Sequence, residues 1–467
     1  MAEWTVPLSE PYSCLARDLS DMGGFLRGLI ALFSVDNRVL ALAFARMADG
    51  IGNSFLIIVI PLYVTSEVVG GRTFGLEEAV IIGIILSLYG FLNSSAQPFT
   101  GRFSDRAGKR KAFILVGLAG LTVTNLAYVF VGSYWQLLAI RGLQGISVAF
   151  IVPTSIALVN ELATNRDRGG NMGVYNTFRL IGFGAGPVAA GAVVSAGPYS
   201  IGFPSVGLAS LGFPLESLAG TAVVVSGFDA AFYVATITAA VSYVMVTVLV
   251  SDPEATRANA GDDLSIAVRD PTGKHLLDPV FTLGVATLFL AASIALLATI
   301  QPQVNDRLGQ GSTWFGLQFA GFVIAQILLQ TPIGRACDRF GRRPFIVVGM
   351  ILLVPTTLAQ GFVLSSEGMF LARLTQGVAG AMVFAPGLAL AGDLAGEGES
   401  GTKLSVLTMA FGFGIALGPF ASGALVAYGF AVPFVFGAAI SAVGAVLVFT
   451  QVEETLEVDP RSVSDPD

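Results

Sequence analysis

The run "ARMADGIGNSFLIIVIPLY" at residues 45–63 sets Arg46, Asp49 and Asn53 at i, i+3 and i+7, on one helical face of an otherwise apolar segment. Asp49 lies about ten residues into that segment, roughly 15 Å along a helix. A carboxylate at that depth in an apolar medium must be paired or protonated. Beside an arginine it can do either, because the positive neighbour favours proton loss and desolvation opposes it. Two readings follow: a carrier of protons, or a fixed ion pair with Arg46 or with Arg141, which enters from a later segment. Other polar residues sit inside apolar runs. Gln144 follows Arg141 by three, and Asn176 precedes Arg179 by three, with Arg179 also able to reach an interface along its own stem. Further on, Ser293, Gln318, Gln326, Gln330 and the pair Trp314–Phe315 offer an uncharged wall. We expect Asn53, Gln144, Asn176, Arg179, Gln318 and Gln326 to line a substrate cavity, with Arg46, Asp49 and Arg141 as its central charge.

A second kind of site is written twice. "GRFSDRAGKR" occupies 101–110 and "GRACDRFGRR" occupies 334–343, each after an apolar run that ends near a proline (Pro98, Pro332) and before another such run. Each reads as a short tight turn in which Gly101 and Gly108 let the backbone bend. Asp105 is suited to accept hydrogen bonds from a helix N-terminus or an arginine. An acid contributes little to membrane orientation, so Asp105 and Asp338 read as parts of a latch. Arg106, Lys109, Lys111, Arg339, Arg342 and Arg343 can also serve simply as topology anchors.

The elements that must hold these residues are set by composition. Hydrophobic residues make up 54% of the 467 and charged ones 12%, against about 25% charged in soluble domains. A spanning helix needs about 20 apolar residues. Twelve candidates centre on 39–63, 77–98, 112–131, 134–160, 171–195, 227–250, 279–300, 313–332, 345–364, 368–392, 402–427 and 430–450. Residues 196–226, rich in Pro, Gly and Ser, read as a long loop with little regular structure. The domains are then a segment 1–38, a six-helix bundle 39–250, a linker 251–278, a second bundle 279–450 and an acidic tail 451–467. The stretch 25–33 could lie along a membrane surface. Of the 21 lysines and arginines outside helix interiors, 19 fall on one side and only Arg72 and Arg307 on the other. That places both termini and the linker in the cytoplasm of a multi-pass cell-membrane protein.

The duplication extends beyond the hinges. "RGLQGISVAFIVPTSIALVNELA" from Arg141 and "RLTQGVAGAMVFAPGLALAGDLA" from Arg373 share Arg, Gln-Gly, Ala-Leu and a closing acid, Glu161 or Asp393, at an offset of 232. Gly182, Gly186, Pro187 and Gly191 map onto Gly414, Gly418, Pro419 and Gly423 at the same offset. Two related halves of six helices result.

On these residues the chain resembles the major facilitator superfamily of secondary transporters, over about 39–450. The family's hinge signature is matched by Gly101, Asp105, Arg106, Gly108, Lys109 and Arg110, and echoed by Gly334, Asp338, Arg339, Gly341, Arg342 and Arg343. Its fourth-helix signature is matched by Arg141, Gln144 and Gly145. Its antiporter signature is matched by Gly173, Gly182, Gly186, Pro187 and Gly191, with Ala190 where the pattern usually has Gly. The resemblance implies an all-α, twelve-helix membrane protein in two pseudo-symmetric bundles. It also implies that Asp105 meets the start of helix eleven when the transporter opens outward, and that Glu161 and Arg168 extend that network.

The expected function is secondary transport by alternating access, as a proton-coupled antiporter exporting small molecules, working as a monomer in the lipid bilayer without cofactor. The alternatives are an importer or facilitator of sugars or other metabolites, and a receptor or scaffold that transports nothing. An enzyme is disfavoured: no nucleotide loop of the form Gly-x-x-x-x-Gly-Lys-Ser/Thr occurs, His275 stands alone, and Cys14 and Cys337 suggest no disulfide framework. A last expectation concerns salt. The net charge is −7, 21 of 25 basic residues are arginine, and acids gather in "GDDLS", "AGDLAGEGES" and the tail. Repulsion among them would be screened at about 1 M salt, where the Debye length is near 3 Å, so we expect a halophilic source.

Overall fold

The computed structural model describes residues 37–455 apart from 67, 72, 74, 163–167, 203–221, 253–266, 272 and 395–399; the side chains at 168–170, 201–202, 222–223 and 400–405 also lie outside the description. Cys14, the 25–33 stretch and most of the acidic segments therefore fall outside the described residues.

Apolar runs of spanning length, with no water to satisfy their backbone, become helices. There are twelve long enough to cross a membrane among the described residues. They are α1 Asn37–Thr65, α2 Glu78–Ala107, α3 Arg110–Ala127, α4 Tyr134–Glu161, α5 Arg168–Ala196, α6 Gly227–Leu249, α7 Pro279–Thr299, α8 Ser312–Phe340, α9 Arg342–Gln360, α10 Ser366–Asp393, α11 Ser400–Leu425 and α12 Val432–Gln451. The protein is all-α, in two interacting six-helix halves. Val123, Val244, Ile351 and Val446 on α3, α6, α9 and α12 are half or more exposed. Such an apolar periphery suits lipid rather than water.

The chain differs from the sequence reading at three places. Gly101 and Gly334 are not turn residues, because α2 and α8 run on through Pro98 and Pro332 and carry the first seven hinge residues as their last helical turns. Only the following glycines reverse the chain, Gly108 at φ 61° and Gly341 at φ 96°, a region that costs other residues about 1–2 kcal/mol. Within 196–226, Tyr199–Gly202 and Ala222–Val225 form an antiparallel two-stranded sheet. The β-branched run at 223–225 outweighs the surrounding Gly and Pro. Gly173 packs against nothing within 4 Å, being on an exposed face of α5.

The other signature glycines do what small residues do between helices in lipid. A Cβ on Gly182 or Gly186 would overlap the Met47 carbonyl or the Ser54 hydroxyl of α1; one on Gly414 or Gly418 would overlap the Leu288 or Ala292 carbonyl of α7. Equivalent glycines thus weld α5 to α1 and α11 to α7. Gly191 and Gly423 instead face the other half, against Ser312 of α8 and Ala79 of α2.

These seams lie away from the hinges. Gly83 meets Pro419, the Ser87 hydroxyl donates to the Ala416 carbonyl at 2.6 Å, and the Phe183 and Phe319 rings sit 5.4 Å apart. One apolar core joins both halves there, with Phe55, Tyr128 and Phe232 from the first and Leu297 and Phe315 from the second. On the hinge side two further cores form, Ile114, Leu118 and Leu158 within the first half and Ile346, Met350 and Leu390 in the second, the latter joined by Leu180 of α5.

Candidate functional site

Asp49 is buried on α1, and its Oδ2 accepts from the Arg46 guanidinium one helical turn away. The other oxygen, Oδ1, is buried without a protein partner. Arg46 and Asp49 line a small cavity of about 10 Å³ within the first half, lined also by Leu42, Ile114, Ser155 and Tyr175. The Tyr175 hydroxyl sits 2.5 Å from Ser155 Oγ, within electrostatic reach of Arg46, Asp49 and Arg179. A carboxylate with one oxygen bound to Arg46 and the other buried without a partner can accept a proton, and doing so would release Arg46.

Arg141 is not the partner of Asp49. Its Nη1 donates to Gln144 at 2.5 Å and its guanidinium lies 4.7 Å from the centre of the Tyr89 ring, a cation–π stack. Gln144 in turn bonds Asn125 at 2.7 Å and Tyr128 at 3.1 Å. Gln144 therefore belongs to a buried network rather than to a cavity wall: its amide is aimed at partners beyond its own helix. Asn53 lines neither cavity, and its Oδ1 is buried without a protein partner. The second half repeats the device. Arg373 donates to Gln376 at 2.6 Å and lies 5.0 Å from the Phe322 ring centre, and Gln376 reaches Thr357 at 3.1 Å.

Gln318 is also removed from the expected cavity. Fully buried, it donates to Gln310 at 2.7 Å and the Ser366 carbonyl at 3.2 Å, stapling α8 to α10. Ser293 is tied to Ser441 and Phe315 is fully buried in the core. Asn176, Arg179, Gln326 and Gln330 do come together, around a second small cavity of about 10 Å³ between the halves, walled also by Leu180 and Phe384. It starts where the α5–α8 seam stops. Arg179 does not run to an interface: its Nε donates to Asn176 Oδ1 at 2.9 Å.

At the first hinge Arg110 is the hub. It is buried, and it binds Asp105, Glu161 and the Ser104 hydroxyl, the last at 2.7 Å. Asp105 is thus engaged inside its own half. The Arg168 side chain lies outside the described residues. At the second hinge the hub moves one residue earlier, to Arg342, which joins Asp338 and Asp393. The shift has a cause: the Glu454 carboxylate accepts from the Arg343 backbone N–H at 2.8 Å and crowds Gly341, while Arg343 reaches the Phe449 carbonyl. Asp252 makes the same cap on Lys111 N–H, also at 2.8 Å. Arg106, Lys109 and Arg339 are exposed. Breaking a buried pair costs about 3–5 kcal/mol, whereas an exposed pair is worth about 0–1 kcal/mol. Asp105→Ala should therefore slow turnover by about tenfold or more in correctly inserted protein, and Asp338→Ala, whose carboxylate is 62% exposed, far less. Turnover measured beside cysteine accessibility on each membrane face checks this, and lost insertion would support the anchor reading.

Twelve spanning helices in two repeated halves, welded internally by glycines and meeting at a cavity, have the architecture of a secondary transporter; no metal-holding cluster occurs among the described residues. The family model described as Major Facilitator Superfamily matches residues 42–300 and 281–465. The chain belongs to that superfamily. It is 25% identical over 183 residues to Multidrug resistance protein 2 of Bacillus subtilis (strain 168), covering 39% of this chain and 46% of that one; the match spans about half the length of that relative. In fold it is similar to a bacterial homologue of the human lysosomal transporter Spinster, in an inward-facing and occupied conformation, at TM-score 0.67 and 16% identity, over 88% of this chain and 95% of that one. The human organic anion transporter MFSD10 gives TM-score 0.60 at 20% identity, over 88% and 99%. At these identities the structures speak for fold alone.

Proposed function

We propose that the protein is a proton-coupled antiporter of the plasma membrane that exports a small molecule, with hinges, linker and termini in the cytoplasm. The observation that carries the coupling is Asp49: a buried carboxylate in mid-helix, bonded to Arg46 through one oxygen and without a partner at the other. Protonation would break its pair with Arg46. Tyr175 and Arg179, one turn apart on α5, would carry that change to the cavity between the halves. Resemblance to multidrug-resistance proteins supports export, and so do the α5 glycines of the antiporter signature. With the seams closed away from the hinges, the protein would here be ready to load from the cytoplasm; re-closing would need Asp105 to leave Arg110. The two bundles, 39–250 and 279–450, would rock as units about the linker 251–278.

The test begins with compounds that stabilise the purified protein, followed by flux in sealed vesicles. An imposed pH gradient should drive the hits uphill and a protonophore should stop them. Accumulation that survives the protonophore and follows sodium would sink proton coupling and leave transport standing. We further propose that the water-facing parts suit high salt. The thermal midpoint and transport rate should rise between about 0.1 M and 1 M KCl, in the full chain and in one lacking residues 456–467. A flat response in both would reject salt adaptation.

A further inference from the structure

Four arginines lie in the middle of spanning helices, Arg46, Arg141, Arg179 and Arg373, and among the described residues one carboxylate, Asp49, lies there with them. Their partners divide cleanly. Arg46 has Asp49. Arg141 and Arg373 are held by glutamines and stacked on aromatic rings, an arrangement that leaves both cations permanently in the fold. Arg179 differs from all three. Its Nε is spent on Asn176, which fixes the plane of the guanidinium, and it lines the cavity between the halves. Among the described residues no carboxylate lies within ion-pair distance of it.

The walls around Arg179 agree with its charge. Asn176, Gln326 and Gln330 supply amides that can donate to further oxygens, and Leu180 and Phe384 supply an apolar side. A guanidinium fork matches a planar carboxylate through two parallel hydrogen bonds. In this structure the space between these walls is about 10 Å³, room for about one water, so a larger occupant enters as the walls part. A cation there would meet the Arg179 guanidinium, of its own sign, in low dielectric.

Resting on the transport reading above, we infer that the cavity takes an organic anion, an apolar or aromatic monocarboxylate, with Arg179 binding the carboxylate and Phe384 facing the apolar body. Arg179 is then the specificity-determining residue, and the surplus of buried positive charge is what draws the anion in. Binding of the anion supplies the counter-charge that the cavity lacks.

The test compares three molecules of one shape on the purified full-length protein: benzoate, benzamide and benzylamine, titrated calorimetrically at neutral pH. Benzoate should bind about ten- to a hundredfold more tightly than benzamide, and benzylamine should not compete with it. Arg179→Gln should erase the preference and Arg179→Lys should keep part of it, since the charge stays and the fork goes. Gln330→Glu, which places a carboxylate in the cavity, should abolish benzoate binding without touching Arg179, so the question is answered even where Arg179→Gln does not fold. Equal binding of benzamide or benzylamine, a preference that survives Arg179→Gln, or no benzoate binding at about 10 mM would each overturn the inference. Failure of the transport reading is distinct: it would appear as benzoate binding with no proton-driven flux of any hit.

Discussion

Asp49→Asn is expected to abolish uphill transport in proteoliposomes while the protein still binds substrate. Asparagine keeps the shape and can still accept from Arg46, but it cannot exchange a proton or carry a charge. Energetically driven flux should fall by about a hundredfold or more, and equilibrium exchange at matched pH by much less. The competing outcome follows from the same contact. If Arg46 and Asp49 form a fixed structural pair, the asparagine leaves a buried guanidinium uncompensated, at a cost of about 3–5 kcal/mol, and the protein loses thermal stability. Arg46→Gln combined with Asp49→Asn separates the two. In a structural pair the double variant recovers stability and transport together; in a proton carrier it recovers stability alone. Thermal unfolding and pH-driven flux, measured on wild type, both single variants and the double, decide it.

The glycines give the second large effect, and they divide into two classes with opposite signatures. Gly182, Gly186, Gly414 and Gly418 sit within a half. Leucine at any of them should push apart helices that are never required to separate, and the result should be poor insertion and low thermal stability. Gly191 and Gly423 sit between the halves, where a Cβ on Gly191 would lie 2.5 Å from the Ser312 carbonyl oxygen. Valine there should spare each bundle and disfavour only the state in which the seam is shut. Overpacking costs about 1–3 kcal/mol, or about ten- to a hundredfold in the ratio of the two states. Gly191→Val and Gly423→Val should therefore insert normally, lose turnover by about that factor, and expose introduced cysteines at 80 and 313 to reagents on the face opposite the hinges. Normal turnover in either variant would show that tight closure of the seam is not needed in the cycle.

The periodic and repeated features were legible in the sequence because they are enforced residue by residue. Lipid demands a run of apolar residues for every helix, so all twelve could be counted. The glycine offset of 232 reappears as equivalent helix contacts because a missing Cβ permits an approach that nothing else does. The polar residues were less legible. A glutamine in an apolar run reads the same whether it faces a cavity, as Gln326 does, or a partner on the next helix, as Gln144 and Gln318 do. Only the rotation of each helix separates the cases, and a periodicity argument has no external mark to fix it. The hinges misled for a different reason. Charge ends a hydrophobic run but not a helix, so α2 and α8 continue past the membrane-length segment until Gly108 and Gly341. A signal for the Arg342 hub existed in Glu454, yet an acid 111 positions away has no sequence pattern to tie it to the hinge.

Asp252 and Glu454 each arrive just after the last helix of a half and fasten the exposed start of that half's third helix. The first and second bundles are thereby closed into rings, in the way a strap turns a row of staves into a barrel. A ring resists shear that an open row would absorb. Were a bound molecule to tilt one helix, the displacement would have few internal routes by which to dissipate, and it would emerge where no strap crosses, along the seams of α2 with α11 and α5 with α8. Stiffness within each half would thus favour motion between them, and two carboxylates outside the apolar core would set how much of a small local push reaches the far side of the protein.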